Sequence, residues 1–328
     1  MCQSPYFHSM FNGSKWKEAN ESCIEISIPD ANINEKSLNI AFGSFYKEDI
    51  EIAPIEVVSV LASASLLSLE GLIQQCASIM SENINSHSVL AYYEASLTYG
   101  VKQVEEKAFK WLCMNLMGSA EIKLNQIGVE LMEKILDSDD LLIVQVETDL
   151  YSLCKKWLYF QLNPTKTSLL NSKSLINTCN EYFKMYMGSS EEEGSLLELE
   201  DMRKYASVFR KIRLNHLLYD LSSFRLLKSD AIVPFNWLQP CFYANWLNLL
   251  FVDQERHSHE FEIEKADFES GCMRFGRVLV NESVVTWRWV SCFLFFLVKR
   301  KMDCLLRMIR EKRELKIFLN MNLRILIN

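Results

Sequence analysis

The residues best suited to chemistry lie mostly in the C-terminal third of the chain, and their spacing decides against most of it. His259-Glu260 opens like the helical zinc-protease motif, in which two histidines four apart bind the metal and the intervening glutamate acts as base. The second histidine would fall at position 263, which is Ile263. His257 and His259 are two apart, so on a helix they point to different faces, and on a strand they share a face without an obvious third ligand. An exposed polar loop is expected there, not a metal site. The run Gly271-Cys272-Met273-Arg274-Phe275-Gly276 has two glycines but neither a dinucleotide fingerprint nor the Lys-Ser/Thr of a phosphate-binding loop. Cys272 would need a partner histidine to act as a nucleophile and is expected to be a buried thiol. There is no G-x-S-x-G elbow. The ten cysteines are spread so that the closest pair, Cys292 and Cys304, stands twelve positions apart. That spacing excludes a C-x-x-C zinc or redox pair and points to reduced core thiols. Neither an enzyme nor a cofactor is expected.

Charge narrows the partners. Residues 299–328 hold nine Lys/Arg and three Asp/Glu, a local +6, so a net charge of −7 for the chain leaves −13 on the rest. A body that acidic is poorly suited to phosphate backbones, where each contact needs a cation replacing a counterion, and nucleic acid is not expected as a ligand. Lys299-Arg300-Lys301 and Lys312-Arg313, with Glu311 and Glu314 between and beside them, read as a solvated helix face ahead of an import or membrane-surface signal. Glu191 to Glu193 likewise read as a solvated loop. The start of the chain has no basic region followed by an apolar one, so no secretory signal is expected, and the compartment reads as cytosol or nucleus. The most apolar run, residues 290–298, is nine residues long. A membrane span needs about 20, so no span is expected.

The elements that would carry these residues are mainly helical, since 328 residues with only ten Gly and six Pro leave room for long helices and few tight turns. Residues 23–28 alternate with period two, which puts Ile24, Ile26 and Ile28 on one face of a strand ending at Pro29-Asp30. Asn32 or Asn34 can cap a helix with Leu38, Ile40, Ala41 and Phe42 as its stripe. A short strand is expected at 50–52. Pro54 then opens a helix carrying Val57, Val58, Leu61 and Ala64, and a second follows with Leu69, Leu72, Ile73, Cys76 and Met80. From residue 85 the pattern predicts helices at 87–98, 101–117, 121–136 and 141–162. In the last, Val146, Leu150, Leu153, Trp157 and Phe160 form an amphipathic stripe that stops at Asn163-Pro164. An exposed loop through 188–195 precedes a helix at 196–227 with Val208, Ile212, Leu217 and Leu221 on one face. Beyond Val233-Pro234, shorter apolar segments carrying Trp237, Trp246, Trp287 and Trp289 suggest a small mixed module.

Ser4-Pro5-Tyr6-Phe7-His8-Ser9-Met10-Phe11, followed by a strand and then by a helix ending Phe42-Gly43-Ser44-Phe45-Tyr46, resembles the middle of a BTB/POZ domain, whose pattern here is Ser-x-Tyr-Phe-x-x-Met-Phe. The helices that follow resemble a BACK domain. A closer likeness is to the germ cell-less family. It is carried by Trp16-Lys17-Glu18, Ile40-Ala41-Phe42-Gly43-Ser44, Gly71-Leu72-Ile73-Gln74-Gln75-Cys76, Gln145-Val146-Glu147 with Trp157, Val208-Phe209-Arg210 and Trp287-Arg288-Trp289, all in one order. The fold class so implied is mainly α with an α/β N-terminal part. It comprises a partial BTB/POZ domain (1–84), BACK-type helical hairpins (85–227), a small mixed C-terminal module (228–298) and a divergent basic tail (299–328).

The resemblance implies a non-catalytic substrate adaptor of cullin-3 ubiquitin ligases, linked to germ-cell development and to the nuclear matrix or envelope. Its partners would be cullin-3, a protein substrate and nuclear-envelope proteins. The family's cullin-contact pattern, a hydrophobic residue, any residue, then Glu, matches Trp16-Lys17-Glu18, and Tyr46 is a further candidate contact. An exposed aromatic can anchor in a partner's pocket, and a glutamate at its rim can accept a charge-assisted bond. The likeness starts inside the BTB pattern and stops near Trp289, so an incomplete sheet with an open edge is expected and homodimerisation is not. Two rival expectations are a scaffold at the nuclear periphery without ligase function, and a non-productive copy that lacks strands it needs to fold.

Overall fold

The computed structural model describes residues 4–11, 24–47, 50–143, 146–164, 172–188, 194–218 and 221–254, and the chain divides into two compact units between Met114 and Asn115. Trp16, Lys17 and Glu18, the Glu191 to Glu193 run, His257, His259, Cys272, Trp287, Trp289, the apolar run at 290–298 and the basic tail lie outside the described residues.

In the first unit, small side chains set how closely the helices pack. Helix α1 (Pro5–Phe11) is tied down by Ser4, which is fully buried. Its hydroxyl donates to the Leu67 carbonyl at 2.6 Å and accepts from the Phe7 N–H at 3.3 Å, so one side chain both caps α1 and fixes it to the turn after α3. Helix α2 (Glu35–Gly43) begins with a reciprocal capping box in which Asn34 Oδ1 accepts from Ser37 N–H and Ser37 Oγ accepts from Asn34 N–H. Helix α3 (Val57–Leu66) carries Ala62, Ser63 and Ala64, all buried, and packs against α2, α4 (Glu70–Glu82) and α5 (Val89–Tyr99). Ser63 satisfies its hydroxyl by donating to Ser37 Oγ at 2.8 Å, so this polar atom is paired within the core. Leu61, Leu67, Leu72, Met80, Tyr92 and Val104 belong to that core, the last from α6 (Lys102–Asn115). Gly100 ends α5 at φ 73°, a left-handed cap that a Cβ would strain.

Ser4→Ala removes a buried hydrogen bond and leaves the Leu67 carbonyl without the donor that Ser4 supplies. We expect a loss of about 1–3 kcal/mol in urea unfolding. Ser4→Thr, which keeps the hydroxyl, should recover part of it.

The predominance of helix agrees with the sequence reading, whereas its strands do not form. Residues 24–28 and 50–52 run without ladder partners, and no strand occurs among the described residues. Ile28 is exposed. Period-two alternation says which face is apolar, but a strand also needs a neighbour to receive its N–H and C=O groups, and none is present among the described residues. The extended chain is held by side chains instead. Asp30 accepts from Asn32 N–H at 2.8 Å and from the Tyr99 hydroxyl at 2.6 Å, while Gln75 Nε2 donates to the Ile50 carbonyl at 2.7 Å.

In the second unit α8 (Glu147–Leu162) is the central element. Around it lie α9 (Ser172–Gly188), α10 (Ala206–Arg210) and the short 3-10 turn at Leu124–Gln126, with α7 (Val129–Asp137) packed on α10. The predicted stripe holds at Leu150, Trp157 and Phe160, all buried, and the helix ends at Asn163. Trp157 is fully enclosed. Its indole N–H donates to the Ile127 carbonyl at 2.8 Å, and its ring meets Tyr205 edge-on at 5.6 Å.

The single helix expected over 196–227 is a correction. The chain there breaks into 3-10 turns at Leu196–Glu198, Glu200–Tyr205 and Leu214–His216, with α10 between the last two and α11 (Leu221–Asp230) after them. Across these breaks Tyr205 meets Trp157 and Phe209 meets Tyr151, both edge-on, so the segment packs on α8 through two aromatic pairs. Val208, Ile212 and Leu217 are buried as predicted, while Leu221 is 60% exposed. After α11, Ala231 adopts a left-handed φ of 46°, and its carbonyl accepts the Leu196 N–H at 2.9 Å. Further segments differ from expectation: the helix expected over 121–136 is a 3-10 turn at Leu124–Gln126 followed by α7, and the one expected over 141–162 begins at Glu147. Helix α9 was not signalled, and residues 235–254, expected as shorter mixed segments, form the 20-residue helix α12 (Phe235–Gln254) with Pro240 inside it.

A candidate partner-binding surface

Five aromatic side chains gather where α1 meets the end of α2. Residues four apart on a helix share a face, so Phe7 and Phe11 stack along α1, with ring centroids 6.0 Å apart and planes 12° from parallel. Phe7 also meets Phe42 at 6.2 Å and Phe45 at 6.0 Å, and Tyr6 packs edge-on to Phe7 at 5.2 Å. Phe7, Phe45 and Tyr6 rest against the core of the first unit. The outer members, Phe11 and Phe42, are exposed, and just past the cluster, four residues beyond Phe42, Tyr46 is 89% exposed.

Backbone contacts hold this edge in place. The Ser44 N–H donates to Ile40 O at 3.1 Å and the Tyr46 N–H to Gly43 O at 3.0 Å, so α2 tightens into a turn that turns Tyr46 outward. The Ser44 hydroxyl donates back to Ala41 O at 2.7 Å. A ring patch of this kind does no acid-base or nucleophilic work. It offers apolar area that costs little conformational entropy to immobilise, which is what a docking anchor needs.

Of the predicted contact residues, Tyr46 lies exposed in the turn after α2, next to Phe45 in sequence, while Trp16 and Glu18 fall outside the described residues. The reading from sequence missed Phe7, Phe11, Phe42 and Phe45 as members of one patch. The i, i+4 pair in α1 was a usable signal, but the meeting of α1 with α2 depends on the Ser4 to Leu67 clamp, 63 positions apart.

Reactive groups elsewhere are suppressed by burial. The five described cysteines are buried, and desolvation pushes Cys76 up to about 12 and Cys179 up to about 11, far from a thiolate at neutral pH. In the second unit Lys155 and Asp230 form a buried ion pair. Lys155 also donates to Asn180 Oδ1 at 2.6 Å, and the Tyr151 hydroxyl donates to Asp230 Oδ2 at 3.2 Å. Desolvation lowers the Lys155 pKa and raises that of Asp230, and in each case the partner's opposite charge works against the shift. No group of three or more metal-ligating side chains occurs among the described residues, and no described helix is long and apolar enough to cross a membrane.

The clamped helix and its aromatic edge lie within residues 1–84, which match the BTB/POZ domain, so the first unit carries a BTB/POZ domain. Over most of its length the chain is a homologue of the germ cell-less proteins. It is 39% identical over 292 residues to human "Germ cell-less protein-like 1" and 40% identical over 292 residues to human "Germ cell-less protein-like 2". To the Drosophila melanogaster "Protein germ cell-less" it is 34% identical over 313 residues. Each comparison covers 89% of this chain but only 55–56% of the relative, so the chain spans little more than half the length of the curated relatives it matches.

Proposed function

We propose that the chain is a non-catalytic adaptor that binds cullin-3 through its BTB/POZ domain and holds a protein substrate near the ligase. The observation that carries this reading is the solvent-facing aromatic edge of Phe11, Phe42 and Tyr46 inside the BTB/POZ match. Trp16-Lys17-Glu18, five residues beyond Phe11, adds the hydrophobic-x-Glu pattern of the family's cullin contact. An adaptor needs no reactive group of its own, because holding substrate and ligase together raises the effective concentration of substrate lysines at the ubiquitin-loaded enzyme. On the germ cell-less likeness we assign this adaptor to germ-cell development and to the nuclear envelope or matrix. Imaging of a tagged chain checks the location, and an exclusively cytosolic signal would reject it.

The binding test is a pull-down of the full chain with the cullin-3 N-terminal region, followed by titration. Trp16→Ala, Glu18→Ala and Tyr46→Ala are each expected to weaken binding about tenfold or more, the loss of an anchor worth roughly 1.4–2 kcal/mol. Absence of retention on cullin-3, or unchanged affinity in all three variants, overturns the reading. Tyr46 is almost fully solvated, so a folding defect is not expected to mask its effect.

A further inference from the structure

A second surface, in the other unit, has the opposite chemistry. A cavity of about 400 Å³ opens where the end of α7, residues 210–216 and α12 meet. Its apolar lining comes from Leu136, Ile212 and Cys241, all buried, and from the half-buried Leu214. Arg210, Lys211, Arg213 and His216 line the rest, from a seven-residue run, Arg-Lys-Ile-Arg-Leu-Asn-His, that contains no acid. The one carboxylate on the lining is Asp137.

The cationic run is held in shape before any ligand arrives. Ile212 and Leu217 anchor it in the core. The Arg213 N–H donates to the buried Glu147 Oε1 at 2.8 Å, and the His216 N–H donates to Arg213 O at 2.9 Å. The Arg210 guanidinium carbon sits 4.5 Å from the centre of the Trp237 ring, a cation–π contact that orients the side chain and draws on its charge rather than its N–H donors. Lys211 is paired with Asp137 at 2.9 Å, but both side chains are partly or largely solvated, so the pair is weak and readily exchanged for a stronger anion.

We propose that this cavity binds a short peptide bearing a phosphorylated side chain next to an apolar one. The phosphate takes the guanidinium and ammonium donors, displacing Asp137 from Lys211, and the apolar neighbour enters against Leu136 and Cys241. Planar guanidinium forks match phosphate oxygens in pairs, and the volume suits one or two side chains. A nucleic acid is the poorer occupant, because a chain of net charge −7 repels a long polyanion and one seven-residue run spans few phosphates. The site stands apart from the cullin reading, and either can fail without the other.

The test is fluorescence polarisation on the full chain with labelled Gly-Leu-pSer-Leu-Gly, its unphosphorylated form and its Glu form. The phosphopeptide is expected to bind saturably, at least tenfold tighter than the unphosphorylated peptide, with the Glu form between. Inorganic phosphate should compete only at concentrations well above the peptide's Kd. Arg210→Ala should weaken binding about tenfold and Arg210→Lys less, while Lys228→Ala on α11 leaves it unchanged. Should Arg210→Ala lower the melting temperature, Asp137→Ala gives an independent reading: by removing the one carboxylate on the lining, which competes with the phosphate, it should tighten the phosphopeptide severalfold. Equal binding of all three peptides, equal losses in the Arg210 and Lys228 variants, a weaker Asp137→Ala, or displacement of the peptide by an equimolar single-stranded RNA would each overturn the proposal.

Discussion

Asp230→Ala is expected to destabilise the second unit by about 3–5 kcal/mol, because it leaves a buried ammonium without its counter-charge. The Lys155 and Asp230 side chains are only 4% and 3% exposed, so bulk solvent does not replace the lost counter-charge. What would remain around Lys155 is the Asn180 carbonyl oxygen at 2.6 Å and the face of Phe183, with its centroid at 5.8 Å. The Tyr151 hydroxyl would lose its acceptor as well. The pH dependence follows from the direction of the Lys155 shift. Burial already holds its pKa below the usual value of 10.5, and removing Asp230 takes away the charge that opposes that shift. Above the lowered folded-state pKa the unfolded chain binds the extra proton, so the stability of the variant should rise with pH through that window and flatten near the unfolded value. The deficit is therefore largest at acid and neutral pH. Urea unfolding between pH 6 and 10 measures it. A cost under 1 kcal/mol at pH 7 would mean the pair contributes little. Lys155→Met combined with Asp230→Ala should be less damaging than Asp230→Ala alone, since no unpaired charge is left inside.

Trp157→Ala should cost a similar amount, about 3–5 kcal/mol, for a different reason. The indole is the largest fully enclosed side chain of the described residues, and its removal opens a cavity between α8, the turn at Leu124–Gln126 and Tyr205. The Ile127 carbonyl keeps one partner, because Gln161 Nε2 also donates to it at 3.0 Å. The loss is thus mostly packing. Trp157→Phe retains much of the apolar volume and gives up the indole N–H, so it should cost about 1–2 kcal/mol. For a unit of this size each kcal/mol moves the melting temperature by roughly 2–4 °C, which puts the alanine variant roughly 6–20 °C below the parent. A melting curve for Trp157→Phe as low as that for the alanine variant would show that the hydrogen bond, not the volume, holds the junction.

The helices were legible wherever local chemistry and pattern agreed. The Asn34 cap, the run from Val57 to Met80 and the end of α8 at Asn163-Pro164 each follow from side chains within a few turns of one another and appear where expected, while α8 starts at Glu147 and not at 141. The family likeness was legible too, since it rests on short words in a fixed order, and the comparisons with germ cell-less proteins agree with it. The alternation at 23–28 misled because a strand is a relation between two segments, and its own residues say nothing of whether a neighbour exists. The breaks after Leu196 were missed as well: the apolar spacing of Val208, Ile212 and Leu217 suits one continuous helix, and it carries no signal of the 3-10 turns that interrupt it.

What the sequence by itself determined is the helical character, the lack of a recognisable catalytic motif and the identity of Tyr46 as a candidate contact. Tertiary structure alone decided which distant residues meet. Phe7 and Phe42 are 35 positions apart, Lys155 and Asp230 are 75 apart, and Asp137 and Lys211 are 74 apart. No periodicity reaches across such distances. These groups meet because apolar burial packs the helices that carry them, and only then do short-range forces between rings and charges, which fade within a few ångströms, have anything to act on.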